Sequence, residues 1–197
     1  MNNTNIRSIC VFCGANLGVR PIYAEAASAL GRVLAENGIA LVYGGGGIGL
    51  MFEAARAAKH AGGKVIGIIT EALMAREVGN HDVSELHVVQ TMHARKALMA
   101  ERADAFVVLP GGYGTFDELC EMLTWNQLSI LQTPMVLVNL DGYFDGFLMQ
   151  LERGVADGLL RPHHRAMLTV VDAIDDVLPA IEDWRPPALI APSAVKP

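Results

Sequence analysis

The stretch VVLPGGYGTFDELCEML, residues 107–123, decides how the rest of the chain is read. An apolar run stops at Pro110, three glycines fall at Gly111, Gly112 and Gly114, and Thr115 opens a pattern of helical period. This is a strand entering a helix through a turn almost without side chains. Such a junction sets unhindered backbone N–H groups at the positive end of a helix, which suits a phosphate. Glycine also serves where φ must be positive, so a purely structural tight turn is the competing reading.

The same junction recurs outward along the chain. Short Val- and Ile-rich runs mark strands over 6–12, 39–43, 64–69, 86–89, 105–109, 135–138 and 167–171. Segments of helical period fill 20–37, 48–61, 92–102, 115–131, 143–157 and 173–183. Unbroken alternation of this kind predicts an α/β fold: one doubly wound domain over 1–185, with a mainly parallel sheet covered by helices on both faces. The Pro-rich end, 186–197, is expected to be a loose tail. Two further strand-to-helix turns are glycine-rich, CGANLG at 13–18 and YGGGGIG at 43–49. Open α/β sheets bind ligands beyond the carboxyl ends of their strands. Three bare loops on that edge favour phosphate binding, with Gly14, Gly45, Gly46 and Gly111 to Gly114 as backbone contacts.

Composition narrows the ligand. The chain has 197 residues, the size of one domain, and a net charge of −6 without a basic block, which argues against a nucleic-acid surface. No apolar run approaches the roughly 20 residues of a membrane span, and the N-terminus lacks a signal pattern, so a cytoplasmic protein is expected. Cys10, Cys13 and Cys120 fit a reduced compartment. Cys10 and Cys13 form C-x-x-C on the first strand, where their side chains point to opposite faces, so redox or metal chemistry is not expected. The six histidines show no ligand spacing, and no metal or cofactor is expected.

Gly44, Gly46 and Gly49 satisfy G-x-G-x-x-G, but a complete strand and helix precede them and the acid Glu71 lies too far along for a dinucleotide fingerprint. Neither glycine loop continues into Gly-Lys-Ser or Gly-Lys-Thr, which disfavours ordinary nucleotide triphosphate hydrolysis. Thr115 and Glu118 have capping-box spacing, with the carboxylate closing back on the helix start. The alternative is a catalytic Glu118 facing the ligand, with Glu121 on the same helix face raising its proton affinity. In TMHARKALMAERADAF, Thr91 is expected to cap a helix in which Ala94, Ala97 and Leu98 pack inward. Arg95, Lys96 and Arg102 then take the polar positions. Cations near a helix start are unfavourable with the macrodipole unless an anion binds there.

These motifs carry a resemblance. P-G-G-x-G-T-x-x-E is complete from Pro110 to Glu118 and M-H-x-R-K from Met92 to Lys96. In order and spacing, residues 6–184 resemble the Lonely Guy (LOG) proteins, cytokinin-activating phosphoribohydrolases long misnamed lysine decarboxylases. The resemblance implies a Rossmann-like subunit, usually a homodimer, that hydrolyses the N-glycosidic bond of N6-modified AMP. By motif position Arg95 and Glu118 inherit catalysis. Glu77, Met92, Lys96, Gly112, Tyr113, Gly114, Thr115 and Thr124 inherit contact with the nucleoside 5'-monophosphate, and Glu121 joins them from its helix face. Two departures bear on pocket shape: Ala15 and Asn16 stand where the family commonly has two serines, and Phe52 where it often has glycine. Other classes are a general AMP nucleosidase and a non-catalytic nucleotide or cofactor carrier, though a carrier has no need of Glu118. A pyridoxal phosphate decarboxylase would need a Schiff-base lysine. Only Lys59, Lys64, Lys96 and Lys196 exist, and Lys96 already belongs to the motif.

Overall fold

A computed structural model describes residues 6–77 and 79–186. Seven strands, β1 (Ser8–Phe12), β2 (Ala40–Tyr43), β3 (Val65–Thr70), β4 (Glu85–Val89), β5 (Ala105–Val108), β6 (Met135–Val138) and β7 (Leu168–Val171), form one sheet. All neighbours are parallel and the order is β4-β3-β2-β1-β5-β6-β7. The helices are α1 (Pro21–Glu36), α2 (Gly49–His60), α3 (Glu71–Glu77), α4 (Met92–Glu101), α5 (Tyr113–Gln127), α6 (Asp145–Ala156), α7 (Pro162–Arg165) and α8 (Val177–Asp183). The expected tail lies, except for Pro186, outside the described residues.

Central strands are buried on both faces, so they read as continuous apolar runs. Alternate residues feed two cores. Ile9, Val11 and Cys13 point toward α1, α2 and α8, whereas Cys10 and Phe12 point toward α4, α5 and α6. The two cysteines therefore face opposite sides of the sheet, as their spacing predicts. Phe12 stacks on Phe106 across β1 and β5, with ring centroids 5.6 Å apart.

Strand order reverses direction between β1 and β5, and this switch opens a crevice where the following loops diverge. Phe12 pairs with Val108, so both loops leave the sheet at one level, and the Gly14 N–H donates to the Pro110 carbonyl at 3.0 Å. The two glycine loops at the switch point are thus joined at their roots.

Two helices were not expected from sequence. At seven and four residues, α3 and α7 are too short to show a helical period. Elsewhere boundaries move by a few residues. The largest shift in consequence is at α5, which starts at Tyr113 with Gly112 as its N-cap, two residues before the expected start at Thr115. Among the described residues no helix is long and apolar enough to cross a membrane.

Candidate active site

A cavity of about 500 Å³ opens at the switch point. Its wall takes in Gly14, Met92, Arg95, Gly111, Gly112, Tyr113, Gly114, Thr115 and Glu118, which brings together nine of the residues picked out from sequence. Loops after β1 and β5, the first turns of α5 and the start of α4 supply them.

At its base lies a buried ion pair. Arg95 Nη1 donates to Glu118 Oε1 at 3.0 Å, and both residues are under a tenth exposed. The guanidinium is held on two further sides, with Nε donating to the Ile68 carbonyl at 3.1 Å and Nη2 to the Gly44 carbonyl at 3.2 Å. A guanidinium has about five N–H donors, so two remain for a ligand. Desolvation pushes Glu118 up to about 7, against the opposing pull of Arg95. The adjacent Asp117 raises it further and Lys96 lowers it. A carboxyl poised near neutrality beside a fixed cation is what acid–base work at neutral pH requires.

Because α5 starts at Tyr113, Thr115 is its third residue and not its cap, and Glu118 sits in the second turn. The capping box does not form; the Glu118 carboxylate spends its hydrogen bond on Arg95 instead. Thr91 does cap α4, accepting from the Ala94 N–H at 3.1 Å. The inward face of α4, however, is the reverse of the one expected: Arg95, Lys96, Met99 and Ala100 are buried, while Ala94 and Ala97 are exposed and Leu98 is half-buried. Buried cations are tolerated because acids on α5 meet them. Glu121 is one of these acids: its Oε2 lies 2.9 Å from Lys96 Nζ, so it neutralises a cation and leaves to Asp117 the repulsion of Glu118.

The glycine loops divide into two kinds. In the loop after β2, a Cβ at Gly44 would fall 1.9 Å from Arg95 Nη2, so Gly44 makes room for the guanidinium. Gly45 is backed against Ile68 and Ile69, and Gly46 is buried; neither lines the cavity. A Cβ at Gly112 or Gly114, by contrast, would meet nothing within 4 Å. Their bareness answers no contact inside the chain and leaves the cavity side of the α5 N-terminus open.

Lys96 and Glu121 stand behind the cavity wall, and the Thr124 hydroxyl, exposed on α5, donates to the Cys120 carbonyl at 2.7 Å. The Glu77 side chain lies outside the described residues. Asn16 lines the cavity where a hydroxyl was missed; Phe52 does not. Sequence reasoning passed over Tyr143, whose hydroxyl donates to the Gly111 carbonyl at 2.7 Å, and Tyr23, whose ring meets that of Tyr143 edge-on at 5.5 Å. Gly142, in the turn that follows β6, was the available signal for Tyr143. Among the described residues no group of three or more His, Cys, Asp or Glu is placed to hold a metal ion.

A family model described as "Possible lysine decarboxylase" matches residues 51–181. The probable cytokinin riboside 5'-monophosphate phosphoribohydrolase LOGL9 of Oryza sativa subsp. japonica is 44% identical over 186 residues, covering 94% of this chain and 82% of that protein. The chain belongs to the LOG family. A second LOG relative, cytokinin riboside 5'-monophosphate phosphoribohydrolase LOG7 of Arabidopsis thaliana, is 42% identical over 183 residues, 93% of this chain and 84% of its own. The molybdenum cofactor binding protein of Rippkaea orientalis superposes with a TM-score of 0.67 at 23% identity, covering 89% and 94% of the two chains, and shares the fold.

The decarboxylase description attached to the LOG family model can be tested on the lysines. A Schiff base forms from a neutral amine. Although burial lowers it, Lys96 is raised above the ordinary lysine range by its contacts with Asp117 and Glu121, the opposite of what a Schiff base needs. Lys64 pairs with Glu85 at 2.7 Å and is half exposed at the start of β3, and neither Lys59 nor Lys64 reaches the cavity. The lysines of the described chain do not fit pyridoxal phosphate.

Proposed function

We propose that this chain hydrolyses the N-glycosidic bond of an N6-modified adenosine 5'-monophosphate, a cytokinin nucleotide, releasing the free base and ribose 5-phosphate. One observation carries the reading: Glu118, buried, raised toward neutrality and bonded to a locked Arg95, lies in the same cavity as a helix N-terminus whose Gly112 and Gly114 leave the backbone open. The names and coverage of the LOG relatives support it.

The phosphate sits against the backbone N–H groups at Gly112–Gly114, with the dipole of α5 behind it. The sugar then reaches the Glu118 carboxylate. As the bond from the anomeric carbon to the purine breaks, its electron pair leaves with the base and positive charge builds on the ribose. Ionised Glu118 stabilises that charge and takes a proton from the attacking water, whose oxygen bonds to the anomeric carbon. The departing purine takes up a proton in turn. Arg95 keeps the Glu118 carboxylate in place and offers its two remaining donors to the nucleotide. Gly14, Met92 and Tyr113 complete the substrate contacts.

A homodimer fits the same reading. Leu119 and Met122 of α5 are buried within the subunit, but Leu128 and Ile130 just beyond its end are about 60% exposed. Sedimentation as a monomer at micromolar concentration would refute it. Three free cysteines support a reducing, cytoplasmic setting.

The test is chromatographic detection of free base from isopentenyladenosine 5'-monophosphate, AMP and isopentenyladenosine in parallel. Release from the modified monophosphate is expected to exceed the other two by far. Release mainly from AMP indicates a general nucleosidase, and tight binding without release indicates a carrier.

A further inference from the structure

Lys96 is about 8% exposed, yet its amine does not reach the cavity. It is directed at α5, where Nζ donates to Asp117 Oδ2 at 2.9 Å and lies 2.9 Å from Glu121 Oε2. Those two acids flank Glu118, one residue before it and three after. The adjacent Arg95 meets Glu118 itself. Two neighbouring cations of α4 thus interleave with three acids of α5. Arg95 is anchored independently by the carbonyls of Gly44 and Ile68, but Glu118 rides on α5, and among the described residues Lys96 makes the other charged links between these helices.

We infer that Lys96 is a positioning residue and not a substrate contact: clamped between Asp117 and Glu121, it sets α5 against α4 and balances the charge beside Glu118. A buried ammonium without partners would be expensive, and one partner would leave a carboxylate uncompensated near the reacting centre. Two partners hold the helix register from both sides of Glu118.

The inference rests on Glu118 being the working carboxylate, but its first readout needs no turnover. Titratable groups within electrostatic reach of Glu118 are Arg95 and Lys96 from α4, Asp117 from its own helix, the Cys10 thiol on β1 and the Cys13 thiol just beyond it, both thiols being raised by burial. Titration of the Glu118 side-chain carboxyl carbon by NMR in the unliganded protein would follow Lys96→Met, Lys96→Arg and Asp117→Asn. Losing the cation should move the midpoint up and losing the anion should move it down, each by on the order of half a pH unit. Arginine should restore the original midpoint. Midpoints that stay put, or move the same way, overturn the inference.

Kinetics give the second readout. Lys96→Met should lower kcat while leaving AMP affinity within about twofold, since the amine does not meet the ligand. A large rise in KM for the monophosphate with no change for the riboside would instead make Lys96 a phosphate contact. If Lys96→Met fails to fold, the downward shift in Asp117→Asn and its absence in Lys96→Arg still decide the matter. Opposite shifts in a protein that cleaves none of the substrates would sink the proposed activity and leave the positioning role standing.

Discussion

The two faces of the sheet solve burial in different ways. Under α1 and α2 the packing is dry and close: Ala26, Ala27, Ala54, Ala55 and Ala58 let the helices approach until Gly31 touches the backbone of Ala54. Under α4 and α5 the interior instead holds Arg95, Lys96 and Glu118. Apolar contact on the first face stabilises at roughly 25 cal/mol per Å² and asks nothing of geometry beyond fit. Charges on the second must be desolvated and then matched, which stabilises little but shifts proton affinities. One face gives rigidity and the other gives chemistry. Because both grip the same strands, the costly charges are held by a frame they did not have to stabilise.

The sharpest way to break this division is Glu118→Gln. Loss of the carboxylate should lower kcat about 10²- to 10⁴-fold while AMP binding and folding persist. Near-normal turnover would return Glu118 to a structural part. The same residue makes a stability prediction. Its proton affinity in the folded chain, about 7, exceeds the ordinary 4.5, so between these values the folded state holds a proton that the unfolded chain has released. Stability from this group is therefore highest below pH 4.5, falls as pH rises, and levels off above 7, a span of about 3 kcal/mol. The glutamine variant lacks this loss, so its midpoint in urea should gain on the parent as pH rises from 4.5 to 7. Parallel curves would show that burial does not burden Glu118.

The dry face should answer in the opposite currency. A Cβ at Gly31 would come within 2.2 Å of the Ala54 carbonyl oxygen, which is backbone and yields only if α1 and α2 part. Gly31→Ala should thus be destabilising by about 1–3 kcal/mol, seen as a lower Tm, with kcat unchanged wherever the protein is folded. A fall in kcat comparable to that of the Glu118 variant would mean that the faces are not separable.

How much of this was legible follows the same division. The strands and most helices were readable because apolar runs and helical period report burial directly, and Arg95 and Glu118 stood out by motif. The inward face of α4 was not readable, because polarity alone points Arg95 and Lys96 to solvent. Their partners lie more than twenty residues away, and nothing in the spacing of α4 announces them. Nor does sequence separate a glycine kept bare for a neighbour, as Gly44 is for Arg95, from one kept bare toward a cavity, as Gly112 is. Glu118 was nearly lost to a capping box for a related reason: the helix start that defines the cap was two residues earlier than the threonine suggested.

The smallest expected effect lies where the second face meets the cavity. Tyr143 donates from its hydroxyl to the Gly111 carbonyl and so occupies one acceptor of the loop. Its ring is also packed edge-on against Tyr23 and Phe144, so Tyr143→Phe removes the hydroxyl and leaves the aromatic wall. A hydrogen bond of this kind contributes about 0.5–1.5 kcal/mol, which corresponds to roughly two- to tenfold in affinity. If the bond serves the loop, KM should rise by that factor for the monophosphate, with kcat and the Glu118 titration unchanged. An equal loss for the riboside would place Tyr143 against the base or sugar. A loss confined to kcat would tie the loop to Glu118 through the first turn of α5, and phosphate binding and chemistry would then share one element.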